Sequence, residues 1–299
     1  MSEAFTGVVV GVDGGPSGEA AIALAADTAA RLGLPLCLLH ALQPTRATGL
    51  IPYAMNVDDW RASLTDMMTD IATEVRSDHP GLTVTTKVEL GHPASALADA
   101  SRTAHVVIVG CRGRGGFAGL LLGSVGAQLC AHAYGPVIVV RPADPDKRPH
   151  PGLPVVVGVD GSAVSEGAVG FAFAEAASRR VPLVVQHVWW APAFDGITPG
   201  DPWQVDPAEL EAEAGRIVAE AVAGWSARYP DVAVETRLTH GADAEAELIE
   251  TSAHASLVVV GSRGRGGFTG LLLGSVSQAL THHAECPVAI VRTVPPGQV

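Results

Sequence analysis

Lysine is almost absent from this chain of 299 residues, since Lys87 and Lys147 are the only two among nineteen basic residues. Against 31 acidic residues this leaves a formal net charge of −12. Nucleic acids and anionic membranes bind proteins through a basic surface, so neither is an expected partner. The P-loop pattern G-x-x-x-x-G-K-[ST] is excluded too, because neither lysine is placed for it.

Cysteines and long apolar runs are also scarce. The four cysteines, Cys37, Cys111, Cys130 and Cys286, form no C-x-x-C pair and do not match between the two halves of the chain. This pattern indicates reduced thiols and not a disulfide framework. The histidines share no spacing that is typical of a metal site, so we expect no bound zinc. No stretch approaches the ~18 apolar residues of a membrane span, and the first residues do not resemble a signal peptide. A cytoplasmic location is the expectation.

What the chain does contain is a duplication. The segment VVVGVDG starts at Val8 and again at Val155, and fourteen residues at 112–125 recur at 263–276 with one difference, Ala118 against Thr269. The offset grows from 147 to 151 along the chain, so the insertions fall between elements, where loops tolerate them. This predicts two domains, residues 1–142 and 154–294, joined by a proline-rich linker at 143–153.

Short β-branched runs alternate with alanine-rich segments in both halves, which is typical of βαβ units around a parallel sheet. In the first half we predict strands near 7–13, 35–41, 82–89, 105–110 and 136–141. Helices are predicted near 17–33, 58–78, 93–103 and 123–133. The fold class is therefore α/β, with two Rossmann-like domains, each a five-stranded parallel sheet with helices on both faces.

Ligands of such sheets bind beyond the carboxyl ends of the strands where the strand order reverses. The spacing G-x2-G-x9-G-S follows the fourth strand of each half, at Gly110 and at Gly261. Its glycine-rich part can form a nest of backbone amides, and the final Gly-Ser suits a helix start with the serine as N-cap; both features bind phosphate. Simple alternatives are a flexible connection and an ordinary helix cap, but neither requires a spacing that is kept in both copies.

The dinucleotide pattern G-x-G-x-x-G/A can be placed on Gly113, Gly115 and Ala118. Thr269 breaks it in the second copy, and it follows the fourth strand instead of the first. No acidic residue lies about twenty positions further on, so we set this reading aside.

These motifs together resemble the universal stress protein family, in its tandem-domain, ATP-binding form from actinobacteria. The resemblance covers nearly the whole chain, including the histidine that ends each predicted second strand, His40 and His187. It implies two domains of the adenine nucleotide α-hydrolase-like type and ATP as the ligand, with or without magnesium. It also implies that the fifth strand pairs with another domain, within the chain or in a homodimer.

The loops and the resemblance predict a matching set of nucleotide-binding residues in each half. In the first half these are Gly11, Val12, Asp13, Ala41, Gly110, Cys111, Arg112, Gly113, Arg114, Gly115, Gly116, Gly123, Ser124 and Val125. In the second half they are Gly158, Val159, Asp160, Val188, Gly261, Ser262, Arg263, Gly264, Arg265, Gly266, Gly267, Gly274, Ser275 and Val276. The resemblance places Asp13 and Asp160 near the ribose or a metal ion, and Ala41 and Val188, just after the second strands, at the adenine edge. As a simpler alternative, each aspartate caps the turn that follows it.

Three functions remain open. The favoured one is an adenine-nucleotide-binding stress-response regulator with one site in each domain. The alternatives are a slow ATPase or nucleotidyl transferase and a cyclic-nucleotide binder. No general base or second-substrate site is evident for an enzyme, so we predict no catalytic residue.

Overall fold

The structure is a computed structural model that describes residues 5–42, 57–111, 122–141, 152–190, 207–264 and 273–292. The chain divides into two compact units, residues 1–143 and 144–299. Most of the predicted linker, 143–151, lies outside the described residues.

The first unit contains one parallel sheet. Its strands are β1 (Val8–Gly11), β2 (Leu36–Leu42), β3 (Val84–Leu90), β4 (Val106–Gly110) and β5 (Val137–Val140). Their spatial order is β3-β2-β1-β4-β5, and every pairing between neighbours is parallel. After β1 the chain adds β2 and β3 on one side of it, and then adds β4 and β5 on the other side. The strand order therefore reverses between β1 and β4.

The second unit repeats this arrangement. Its strands are β6 (Val155–Gly158), β7 (Leu183–Trp189), β8 (Val234–His240), β9 (Leu257–Gly261) and β10 (Val288–Val291). The order is β8-β7-β6-β9-β10, again with parallel pairing. The reversal falls between β6 and β9.

Helices connect the strands in both units. The first unit has α1 (Pro16–Leu32), α2 (Val57–Asp78), α3 (Pro93–Ala100) and α4 (Ser124–His132). The second has α5 (Ala163–Arg179), α6 (Pro207–Val222), the single turn α7 (Trp225–Arg228), α8 (Ala244–Ser252) and α9 (Ser275–His283). Each first helix ends at a residue in the left-handed conformation, Gly33 (φ 65°) and Arg180 (φ 57°). Glycine adopts this conformation without strain, whereas Arg180 does so at a cost.

The helices cover both faces of each sheet. Beside Gly11 lie side chains of Leu97 from α3 and Val109 from β4, whereas the face of Gly110 meets the backbone of Ser17 in α1. Side chains of successive strand residues point to opposite faces, so α3 and α1 lie on opposite sides of the sheet. The strands between them are buried, with Val8 to Val10 at most 1 % exposed. Burial on both faces explains why the strand sequences are continuously apolar, and the predicted fold class is confirmed.

Candidate functional site

A cavity of about 550 Å³ opens in the second unit beyond the carboxyl ends of β6 and β9, where the strand order reverses. Ten of the residues that line it are predicted site residues. They are Gly158, Val159, Asp160, Val188, Gly261, Arg263, Gly264, Gly274, Ser275 and Val276. The chain brings them together from four elements because parallel strands present their carboxyl ends at one edge of the sheet.

Ser262 is the one other predicted residue of the second unit that the structure describes. Ser262 is 2 % exposed and is not among the lining residues; its backbone pairs instead, its amide donating to Val291 (2.9 Å). Arg265, Gly266 and Gly267 lie outside the described residues.

Helix α9 begins at this cavity. Its N-cap is Gly274, in extended conformation (φ −74°, ψ 160°), and the first amide to bond within the helix is that of Gln278, which donates to Gly274 O (3.0 Å). The amides of Ser275, Val276 and Ser277 therefore have no acceptor inside the helix. These three N–H groups and the positive end of the helix dipole favour an anion.

The prediction that the serine caps this helix was wrong by one position in both units. The caps are Gly123 and Gly274, and Ser124 and Ser275 are the first helical residues. The reason is a backbone hydrogen bond: Gly123 N–H donates to Cys111 O (2.7 Å) and Gly274 N–H to Ser262 O (2.9 Å). These bonds hold each glycine in extended conformation, so each helix starts at the serine, one residue earlier than a serine cap would allow.

The same two hydrogen bonds set the distance between the end of the fourth strand and the start of the next helix in each unit. Each joins the residue after the fourth strand to the residue before the following helix and so closes the intervening loop at its base. The loop tips, with Arg112, Gly113, Arg114, Gly115 and Gly116 in the first unit, lie outside the described residues.

Asp13 and Asp160 cap the turns after β1 and β6. Asp13 Oδ1 accepts from Gly15 N–H (2.9 Å), and Asp160 Oδ1 accepts from Ser162 N–H (3.0 Å) and Ser162 Oγ (2.7 Å). The other oxygen of Asp160, Oδ2, lies so near Gly264 that a Cβ there would overlap it. The carboxylate therefore lies between the turn after β6 and the residues that follow β9.

A histidine in the second strand holds each of these turns. The Nδ1–H of His40 donates to Val12 O and that of His187 to Val159 O, both at 2.7 Å; a carbonyl can only accept, so Nδ1 carries the proton. The amide of Val12 in turn donates to the second strand, at Leu39 O. These contacts fix the direction of the backbone just after β1 and β6, where the candidate site of each unit lies.

The described site residues of the first unit occupy equivalent places. Gly11 ends β1 and is followed by Val12 and Asp13, Gly110 ends β4 and is followed by Cys111, and Gly123, Ser124 and Val125 form the start of α4. Ala41 and Val188 differ from the prediction, because they lie within β2 and β7 and not after them. Pairing with the neighbouring strand, Ala41 with Glu89 and Val188 with Thr239, continues these strands beyond His40 and His187.

Seven lining residues were not predicted. They are Ser165, Gln186, Ala244, Leu248, Val260, Leu273 and Ser277. Four are apolar, and Ala244 and Leu248 come from α8, which the sequence patterns left without a role in the site. One signal was available, since Gln186 is a polar residue inside the buried strand β7.

Cation-binding and redox features are sparse in the described parts of the chain. Within them, no cluster of three or more His, Cys, Asp or Glu side chains is arranged to hold a metal ion. All four cysteines are described and are free thiols. Burial raises the pKa of Cys130 and of Cys286 to about 12. Among the helices described, none has the length and apolar character needed to cross a membrane.

Known proteins resemble both the sequence and the fold. The profile of the universal stress protein family matches residues 5–141 and 153–292. A universal stress protein of Mycobacterium tuberculosis H37Rv is 39 % identical over 294 residues, covering 96 % of each chain. One from Mycolicibacterium smegmatis is 40 % identical over 297 residues, covering 96 % of this chain and 97 % of its own.

The fold has counterparts among solved structures. A universal stress protein from Archaeoglobus fulgidus superposes with a TM-score of 0.69 at 19 % identity, covering 96 % of this chain and 98 % of its own. With the profile matched in both halves and relatives aligned over nearly the full length, the predicted resemblance is confirmed. This chain belongs to the universal stress protein family and contains the family domain twice.

Proposed function

We propose that the chain is an ATP-binding regulatory protein of the stress response, with one adenine-nucleotide site in each domain. The observation that carries the proposal is the cavity of about 550 Å³ in the second unit, which ten predicted binding residues line. Ligand pockets of nucleotide size fall in this range, and open parallel sheets bind ligands at this edge.

The two ends of the cavity differ in the way that a nucleotide requires. The start of α9 and the guanidinium of Arg263 would hold phosphate oxygens, because both supply N–H donors and positive charge. The aliphatic side chains of Val188, Leu248 and Val260 offer a surface for a base. Asp160 is the lining carboxylate suited to ribose hydroxyls or to a magnesium ion. When bound, ATP would supply a charged ligand to the chain segments that follow β6 and β9.

A proline substitution tests the phosphate end without breaking the helix. Ser275 is the first helical residue, where proline is favoured, and the extended conformation of Gly274 is compatible with a following proline. Ser275→Pro therefore removes one N–H donor and leaves α9 intact. A hydrogen bond to a charged group contributes roughly 1.5–3 kcal/mol, so ATP affinity at that site should fall about ten- to hundredfold.

Isothermal titration of the full chain with ATP and magnesium measures this effect. Ser275→Ala, which removes the hydroxyl but keeps the amide, is the matched control and should bind as the parent does. Ser124→Pro is the equivalent change in the first domain. A parent protein that binds no ATP at millimolar concentration and carries no nucleotide on purification, by mass spectrometry, would overturn the proposal.

Two further measurements separate the alternatives. Multiple turnover of ATP that disappears in the double variant Asp13→Asn, Asp160→Asn would make the protein an enzyme. Displacement of ATP by equimolar cyclic AMP would make it a cyclic-nucleotide binder. We expect neither, and we expect a homodimer by light scattering.

A further inference from the structure

Gln186 is a polar residue in an otherwise apolar part of the second site. It lies in β7 after Leu183, Val184 and Val185, and it is 2 % exposed. It is nevertheless one of the residues that line the cavity. Glutamine is seldom this deeply buried, so its hydrogen bonds need to be accounted for.

Only one end of the Gln186 amide is paired. Its Nε2 donates to Thr239 Oγ1 on the adjacent strand β8, at 3.2 Å. Its Oε1 is fully buried and accepts no hydrogen bond from any described residue. An acceptor that is buried without a partner destabilises the folded protein, and such groups are rare unless a ligand or water completes them.

The described part of the first unit has no such group. The residue that matches Gln186 is Leu39, because Gly158 pairs with Gln186 in the sheet as Gly11 pairs with Leu39. Leu39 is also 2 % exposed. The two residues therefore share their place in the sheet and their burial, but only Gln186 has a polar side chain. If filling the core were the only requirement, leucine would satisfy it at both positions.

The position of Gln186 places it away from the phosphate end. Paired residues on neighbouring strands point to the same face, so its side chain lies on the side of the sheet where Leu248 of α8 contacts Gly158. Val188, two residues on, points the same way. Gln186 thus belongs with the aliphatic residues of the cavity, whereas Arg263 and the start of α9 form its other end.

We propose that Gln186 is a specificity-determining residue of the second site and that its Oε1 accepts a hydrogen bond from the exocyclic amine of an adenine ring. This rests on the proposed nucleotide-binding function. The first site, with Leu39, has no equivalent acceptor from this position. The two sites therefore differ in selectivity: the second prefers a 6-amino purine over a 6-oxo purine through Gln186, and the first does not do so by this contact.

The test compares ATP with inosine triphosphate, in which an oxo group replaces the amine. In titrations of the full chain, one class of site should prefer ATP by about tenfold, the usual effect of one buried hydrogen bond. Gln186→Leu should abolish that preference and leave the other class unchanged. Leu39→Met in the first domain, the matched control, should leave the preference intact.

A second measurement guards against a variant that binds poorly because it is damaged. Without nucleotide, Gln186→Leu should melt at a higher temperature than the parent, since the unpaired acceptor is gone. If the leucine variant fails to fold, Gln186→Met, which keeps the length of the side chain, takes its place.

The outcomes distinguish the two proposals. A parent that binds no ATP overturns the proposed function. A parent that binds ATP and inosine triphosphate equally at both sites, as it would if the amide turned and donated to the oxo group, overturns only the role of Gln186. So does a preference that survives in both Gln186 variants.

Discussion

Gly110 and Gly261 close equivalent strands, β4 and β9, yet alanine should affect them differently. A Cβ on Gly110 would lie 2.6 Å from the carbonyl oxygen, 2.7 Å from the carbonyl carbon and 2.8 Å from the Cβ of Ser17. A Cβ on Gly261 would lie 3.0 Å from Val164 Cγ1 and 3.2 Å from Arg263 O. Neither glycine has a positive φ, so the backbone conformation itself permits alanine.

The difference in cost follows from which atoms must move. Ser17 is in the first turn of α1 and is 4 % exposed, so relieving the clash at Gly110 means shifting the helix backbone against the sheet. At Gly261 the nearest atom is a terminal methyl of a side chain, which can yield by a few tenths of an ångström. Overpacking a well-packed core costs roughly 1–3 kcal/mol. We therefore expect Gly110→Ala to cost about 3 kcal/mol and Gly261→Ala about 1 kcal/mol in unfolding free energy.

Calorimetry and denaturant unfolding measure these losses. For a domain of about 150 residues 1 kcal/mol lowers the melting temperature by about 4 °C, so shifts of about 12 °C and about 4 °C are expected. Four of the five tryptophans, all but Trp60, lie in the second unit. Their fluorescence follows its unfolding, and circular dichroism follows both units. Equal destabilisation by the two alanines, or a greater loss at Gly261, would refute the reasoning.

Two further predictions concern residues near the site and in the core. His187→Ala removes the donor to the buried Val159 carbonyl and should lower the unfolding free energy by about 1–3 kcal/mol. His187→Asn can still donate a hydrogen bond and should lose less. Equal losses in the two variants, measured by urea titration, would contradict this prediction. Cys130 and Cys286, whose pKa values burial raises from 9.0 to about 12, should react with a thiol reagent at pH 8 only after unfolding. The unfolded thiols ionise near pH 9 and the folded ones do not, so the folded state binds more protons and stability should fall as pH rises from about 9 towards 12; an unchanged urea midpoint over that range would contradict it.

Much of the fold follows from local patterns. Continuous β-branched runs such as Val8 to Val10 are buried on both faces, and that burial is what makes a parallel strand recognisable without knowledge of its neighbours. Gly33 marks the end of α1 because its conformation is left-handed. Element ends were less predictable: Ala41 and Val188 lie inside strands because pairing with β3 and β8 continues beyond His40 and His187, and such pairing is a property of two distant segments.

The sequence by itself determined the duplication, the α/β class and the stretches at the ends of the first and fourth strands where a ligand would bind, because periodicity and glycine spacing are local and occur twice. The tertiary structure decided what no local pattern contains. It made glycine the cap of α4 and α9 through bonds to Cys111 and Ser262, and it brought Leu248 of α8 into the cavity. It also left one oxygen of Gln186 buried without a partner. Each depends on atoms far apart in the chain, and only their packing sets those distances.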